Sequence, residues 1–486
     1  MINLKELPVE VGPMFEGERV RKGNMFVELG GPKVANKAEL LLVKDANEID
    51  NEKVTVIGKD IPEFEEGTSI PFGIFIEVAG EKLTRDIEAV FERRVHDFFN
   101  FVAGVMHLNQ RYDIWCRISK DAIKKGLNFE VLGKALMGLY HAEYEPVEKI
   151  QVTFITDPGK VEEHLKFAKN IYKERDEKTR GMKDTDIDTF YTCSLCQSFA
   201  PNHICVVTPE RISLCGALTW MDCKAASELD PEGPNQAIPV TESLDSINGE
   251  WEPVNEVVKE YSHGNNERFY LYSMFGYPHT SCGCFECILF YVPEVDGIGL
   301  VDRNFRGPAV NGLKFSQMAG QTGGGEQTVG FLGAGIQWMT SKRFISADGV
   351  EGYEVDEKYS PGWSRVVWLP SYLKEKFSEY IPEDLRDRIA TEKTVESIDA
   401  LKDFLGKKGH SVVATWKEEQ EAEAESELEG GALAGYEFGE AIEGGAYAVP
   451  SMGIPMGGYE VILKNATITA ERVIIKKLDA KGKGKK

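Results

Sequence analysis

Nine cysteines occur in these 486 residues, and eight of them fall between Cys193 and Cys287. A chain that gathers so many thiols into so short a stretch commits that stretch to a fold organised by sulfur. Residues 1–13, MINLKELPVEVGP, show no basic segment followed by an apolar one. No secretory leader is therefore expected, and the thiols are expected to sit in a reducing cytoplasm. There, locally packed cysteines read as metal ligands rather than as a disulfide framework.

Cys193, Cys196, Cys205 and Cys215 are spaced as Cys-x2-Cys-x8-Cys-x9-Cys. Four thiolates this close can wrap one compact inorganic core, and the Cys-x2-Cys step lets two sulfurs reach the same metal or cluster. A structural zinc typically takes two short Cys knuckles or a Cys and His mixture. Only one such step is present, so a [4Fe–4S] cluster, whose ligands tolerate uneven spacing, fits better. His203, inside the run, reads as a packed or hydrogen-bonded side chain. Cys223 and Cys287 read as small buried apolar residues.

Cys282-Gly283-Cys284 poses a different problem, because two cysteines one residue apart cannot easily close a disulfide on each other. The backbone amide nitrogens of Gly283 and Cys284 lie between the two sulfurs. Deprotonated, they make the tripeptide a tetradentate N2S2 ligand for a square-planar ion, which points to Ni(II) or Cu(II). Copper(II) is implausible beside reducing thiolates, so nickel is the expected ion. Glycine in the middle leaves the backbone free for such a chelate, and the thiolates keep lone pairs that can bridge to a second metal. The plainer reading of the tripeptide is a turn with buried thiols.

The remaining sequence bounds the rest of the molecule. A formal charge of −23 argues against a general nucleic-acid binder, which needs clustered Lys and Arg. No apolar run reaches the roughly 18 residues needed to span a bilayer, so no membrane segment is expected. Residues 73–80, GIFIEVAG, and 151–156, QVTFIT, read as strands. Residues 84–110 read as one long amphipathic helix, with Ile87, Phe91, Val95, Phe98 and Val102 on its stripe. An Asp-Pro start at 157 opens a charged helix that stops near Gly181, and residues 370–389 read as a helix that Pro382 kinks or divides.

The predicted fold class is α/β, mixed α+β around the cysteines, in a multi-domain chain. The expected divisions are an α/β domain over 1–186, a cysteine-bearing domain over 187–416, an acidic and Gly/Ala-rich flexible linker over 417–458, and a short β-like basic tail over 459–486.

The four-cysteine spacing followed by Cys-Gly-Cys resembles the acetyl-CoA synthases, in particular the archaeal type found as the beta subunit of the acetyl-CoA decarbonylase/synthase complex. The resemblance spans roughly residues 10 to 415, from MFEGERVRKGNMFVELGG through the cysteines to the glycine-rich GQTGGGEQ segment. It implies a nickel–nickel–[4Fe–4S] site. Cys193, Cys205 and Cys215 would hold three irons, while Cys196 would hold the fourth and bridge to a proximal nickel. Cys282 and Cys284 would bridge that nickel to a distal one, completed by the amide nitrogens of Gly283 and Cys284.

The implied activity joins CO with a methyl group brought by a corrinoid protein and passes the acetyl group to coenzyme A, or runs in reverse. Phe199 is similar to an aromatic that shields the CO-binding position. The implied partners are CO dehydrogenase and corrinoid iron–sulfur subunits. Bacterial relatives carry a further N-terminal domain, and this chain begins where their second domain would; CO supply is expected to come from the complex. No second cysteine set for CO oxidation is seen, so that reaction is expected of a partner.

Coenzyme A is polyanionic and needs a local cationic patch. The candidates are Arg19, Arg21 and Lys22; Arg93 and Arg94; and Arg111, Trp115 and Arg117, where Trp115 offers a stacking ring. Each also reads as part of a solvated face. Two other classes stay open on sequence alone: an iron–sulfur electron-transfer subunit, which leaves Cys-Gly-Cys idle, and a zinc-bearing scaffold.

Overall fold

The first half is built from two four-stranded sheets. In one, the spatial order is Lys37–Val43, Phe72–Ala79, Lys149–Ile155, Lys53–Ile57; the outer pairs are parallel and the central pair antiparallel. Alternation decides what covers each face. Ala38, Leu40 and Leu42 meet Leu165, Ala168, Ile171 and Tyr172 of the Pro158–Glu177 helix. Leu41, Ile74, Ile76, Val152 and Phe154 join the main core on the other side, with Phe91 and Phe98 of the Glu88–Asn100 helix and Phe129 and Leu136 of the Phe129–Glu143 helix. The second sheet runs Thr68–Ile70, Met25–Gly30, Asp113–Ser119, Val105–Gln110. The computed structural model describes residues 2–416 apart from 112, 198–199, 282–284, 323 and 351–358, so the expected linker (417–458) and tail (459–486) lie outside the described residues.

Two further sheets carry the cysteine region. A three-stranded sheet orders Cys205–Val207, Thr189–Cys193, Ala237–Pro239, and a four-stranded one orders Phe331–Ala334, Cys287–Val292, Gly297–Asp302, Val366–Trp368. A single apolar cluster runs from Leu29 and Phe91 in the first half to Cys193, Cys205, Leu214 and Leu300 in the second.

Several expectations meet the structure directly. The strand over 73–80 is present as Phe72–Ala79, and that over 151–156 as Lys149–Ile155. Asp157 caps the Pro158–Glu177 helix by accepting from Lys160 N at 2.9 Å. Pro382 separates the helices Ser371–Lys376 and Glu383–Arg386. The long helix over 84–110 is corrected: it ends at Asn100, Gly104 turns the chain at φ +79, and Val105–Gln110 is a strand. Val102, the last residue of the predicted stripe, lies beyond the helix and is apolar because it is buried against Val11 in an isolated antiparallel bridge.

Candidate metal centre

Strands Thr189–Cys193 and Cys205–Val207 are antiparallel, and their register sets Cys193 directly across from Cys205. Between them the chain folds back in successive turns. Gln197 N donates to Ser194 O at 2.9 Å, Ala200 N to Cys196 O at 3.0 Å and His203 N to Ala200 O at 2.8 Å. Cys215 sits in a turn closed by Ser213 N donating to Leu218 O at 2.9 Å, with Ser213 Oγ 3.2 Å from its sulfur. All four thiols are 4–7% exposed. Burial, with the other cysteines adding to it, pushes the Cys193 thiol up to about 12 and the Cys205 thiol higher still. Such thiols ionise only when a cation takes up their charge.

The donor set suits an iron–sulfur core: four soft sulfurs, shielded from water, with hydrogen-bond donors aimed at them. Arg93 Nη2 donates to Cys196 Sγ at 3.6 Å, and His203 Nε2 lies 3.4 Å from Cys205 Sγ. Among the described residues no three His, Cys, Asp or Glu side chains converge as they would on one ion. Cys215 is near enough to Cys193 and Cys205 to help raise their thiols, and Cys193 stands across from Cys205.

Cys282, Gly283 and Cys284 lie outside the described residues, as does Phe199. The residues on either side of 282–284 are described, and both sides are tied to the four-cysteine segment. On the entering side, Thr280 Oγ1 is 2.9 Å from His203 Nδ1, so one imidazole joins Thr280 to Cys205. Ser281 is held by Gly325 N donating to its carbonyl and by its hydroxyl accepting from Gly333 N, each at 2.7 Å. On the leaving side, Glu286 Oε2 accepts from Ile336 N at 2.8 Å and Glu286 N donates to Ala334 O at 3.1 Å. Gly335 N then donates to Leu214 O at 2.5 Å, next to Cys215.

The basic candidates separate. Arg93 is 3% exposed and occupied with Asn109 and Cys196, so it lies inside rather than on a surface patch. Arg94 pairs with Asp97 and, at 2.5 Å, with Glu143. Arg111 forks onto Asp176 at 2.5 and 2.8 Å. Arg19, Arg21 and Lys22 are exposed, and among the described residues no carboxylate pairs with them. Their segment adjoins Trp115: Val20 belongs to the small apolar cluster against which Trp115 packs, and Arg117, stacked 4.6 Å from the Trp115 ring centre, donates to Val20 O at 3.3 Å.

Sequence reasoning missed three features of the site. One is Arg211, fully buried beside the Cys205–Val207 strand. Another is the pairing of Asp113 with Glu286, where burial and the neighbouring Asp113 push the Glu286 carboxyl well above its usual range. The third is the His203 link to Thr280. Only His203 had a signal, its place inside the cysteine run; the others depend on contacts far apart in the chain.

Two family models match. One describes the beta subunit of the CO dehydrogenase/acetyl-CoA synthase complex and covers residues 7–161; the other describes the C-terminal region of the ACS/CODH beta subunit and covers 172–416. The chain is 51% identical over 478 residues to the acetyl-CoA decarbonylase/synthase complex subunit beta 2 of Methanosarcina thermophila, covering 97% of this chain and 98% of that protein. It is 49% identical over 487 residues to the corresponding subunit beta of Methanopyrus kandleri, covering 99% and 100%. With subunit beta of Archaeoglobus fulgidus it shares 52% identity over 410 residues, covering 84% and 76%.

Proposed function

Because the chain belongs to the family of beta subunits of the acetyl-CoA decarbonylase/synthase complex, we propose that it carries the centre at which acetyl-CoA is assembled or taken apart. The substrates are CO, a methyl group held by a corrinoid protein, and coenzyme A, which makes the chain a CO-methylating acyltransferase. Cys193, Cys196, Cys205 and Cys215 would hold a [4Fe–4S] cluster. Cys196, Cys282 and Cys284, with the amide nitrogens of Gly283 and Cys284, would hold two nickel ions. Bound there, the group would supply electron-rich metal chemistry suited to making or breaking a carbon–carbon bond.

What supports this reading is that Thr280 is joined through His203 to Cys205, while Glu286, on the other side of 282–284, bonds Ala334 and Ile336, the neighbours of the Gly335 that bonds Leu214. A site built from both cysteine sets requires such ties, because the intervening chain must fold back on itself to bring them together. The protein's part is to position and to exclude water. His203 orients Cys205 against Thr280, Ser213 holds the Cys215 sulfur, and the buried side chains of Leu195, Ile204 and Leu214 keep solvent out. Phe199 would shield the CO side.

Residues 1–186 would serve coenzyme A docking and 187–416 the metals, with 417–486 left for assembly alongside the CO dehydrogenase and corrinoid subunits in the cytoplasm. For docking, the exposed Arg19, Arg21 and Lys22 beside Trp115 are the best-placed group. Replacing Arg21 and Lys22 together by alanine is expected to raise KM for coenzyme A by about tenfold, or ~1.4 kcal/mol, with kcat little changed. Steady-state kinetics checks this, and an unchanged KM would remove the patch from consideration.

Metal analysis of anaerobically purified chain tests the site itself, with about two nickel and four iron expected per chain. Iron without nickel would favour the electron-transfer reading, and zinc alone the scaffold.

A further inference from the structure

Two arginines are buried beside the cysteines, where an uncompensated charge costs most. Arg211 is 1% exposed. Its Nη1 donates to Val206 O at 3.3 Å, and its guanidinium lies 5.1 Å from the Trp338 ring centre. Among the described residues no carboxylate comes within ion-pair distance of it. One long hydrogen bond, one aromatic face and the more distant Tyr272 and Asp184 leave a fully buried cation incompletely balanced. Burial pulls its pKa down to about 10, and Cys205 is the largest influence acting the other way. Arg93 approaches the same set from the Glu88–Asn100 helix. Its Nη1 donates to Asn109 Oδ1 at 3.2 Å and its Nη2 to the Cys196 sulfur at 3.6 Å. Asn109 also donates to Glu39, which lies 2.8 Å from His107 Nε2, so the guanidinium is braced from behind by a buried polar chain.

Four thiolates on an oxidised [4Fe–4S] core leave about two negative charges, and reduction adds another. Two guanidinium groups supply the opposite charge in a site closed to water. We propose that Arg93 and Arg211 are positioning residues of the four-cysteine site, one bonded to the Cys196 sulfur and one beside the Cys205 strand, whose charge offsets that of a thiolate-held cluster and sets its reduction potential. This rests on the iron–sulfur reading given above. It also changes the part assigned to Arg93, from a candidate for coenzyme A to a partner of the cluster.

The test is an anaerobic redox titration of the iron-loaded full chain, followed by the electron paramagnetic resonance of the reduced cluster, with iron counted in every sample. In Arg211→Gln the ratio of reduced to oxidised cluster at a fixed potential is expected to fall about tenfold, which for one electron is a shift of about 59 mV to lower potential. Arg211→Lys, which keeps the charge, is expected to stay within about twofold of wild type. Arg93→Gln and Arg93→Lys give the same comparison from the other side, and carry the test if Arg211→Gln does not fold. Glutamine variants that hold wild-type iron and titrate with wild type would overturn the proposal while leaving the cluster reading intact. Wild-type chain without iron would overturn both.

Discussion

Replacing Cys284 by serine is expected to lower acetyl-CoA formation by roughly 10³-fold or more (~4 kcal/mol of barrier) while the chain keeps its iron. The two halves of this result come from different segments. The iron ligands proposed at 193–215 are held by their own ladder, Cys193 against Cys205, and by turns closed among residues 194–218. Residue 284 is proposed to bridge two nickel ions and to give a backbone nitrogen to one of them. A serine hydroxyl is a hard donor with a far higher pKa than a thiol, so it would hold nickel far less well than a thiolate. Nickel content should fall with activity, and iron should not. An active Cys284→Ser protein would refute the bridging role, whereas joint loss of iron and nickel would show that 284 supports the whole region.

Gly335→Ala should cost the site its iron without replacing any proposed ligand. A Cβ at 335 would stand 2.1 Å from Cys215 O and 2.6 Å from its carbonyl carbon. Neither backbone can yield easily. The strand Phe331–Ala334 leading into Gly335 is paired along Cys287–Val292, and Gly335 N is bonded to Leu214 O. The collision therefore forces Cys215 away from its place, at a cost of about 1–3 kcal/mol or more. Less than half the wild-type iron per chain is expected, together with a lower melting temperature. Gly406→Ala is the control, because a Cβ there meets nothing within 4 Å inside the Ile398–Lys408 helix. That change should stabilise the chain by about 0.5–1 kcal/mol and leave iron unchanged. Wild-type iron in Gly335→Ala would show that this close approach does not hold the Cys215 turn.

The two proposals differ in how much of them the sequence carried. The cysteine spacing was legible because metal ligands are few in kind and their spacing is chemically restricted. Asp157 was legible as a helix start because capping is local. The short strands Thr189–Cys193 and Cys205–Val207 were not separable from turns, since three to five residues give too little periodicity. Arg93 read as surface because arginine usually is, and only its contact with a sulfur 103 residues away places it otherwise. The joins from Thr280 to His203 and from Gly335 to Leu214 are of the same kind. They depend on packing between segments that no local pattern connects.

The measurement that bears most directly on the central proposal is acetyl-CoA formation from methyl-corrinoid protein, CO and coenzyme A. It should be made with anaerobically purified chain loaded with iron and nickel, using Cys284→Ser as the blank. Acetyl-CoA that depends on all three substrates and on nickel is the expected result. No acetyl-CoA from protein that demonstrably holds both metals would contradict it.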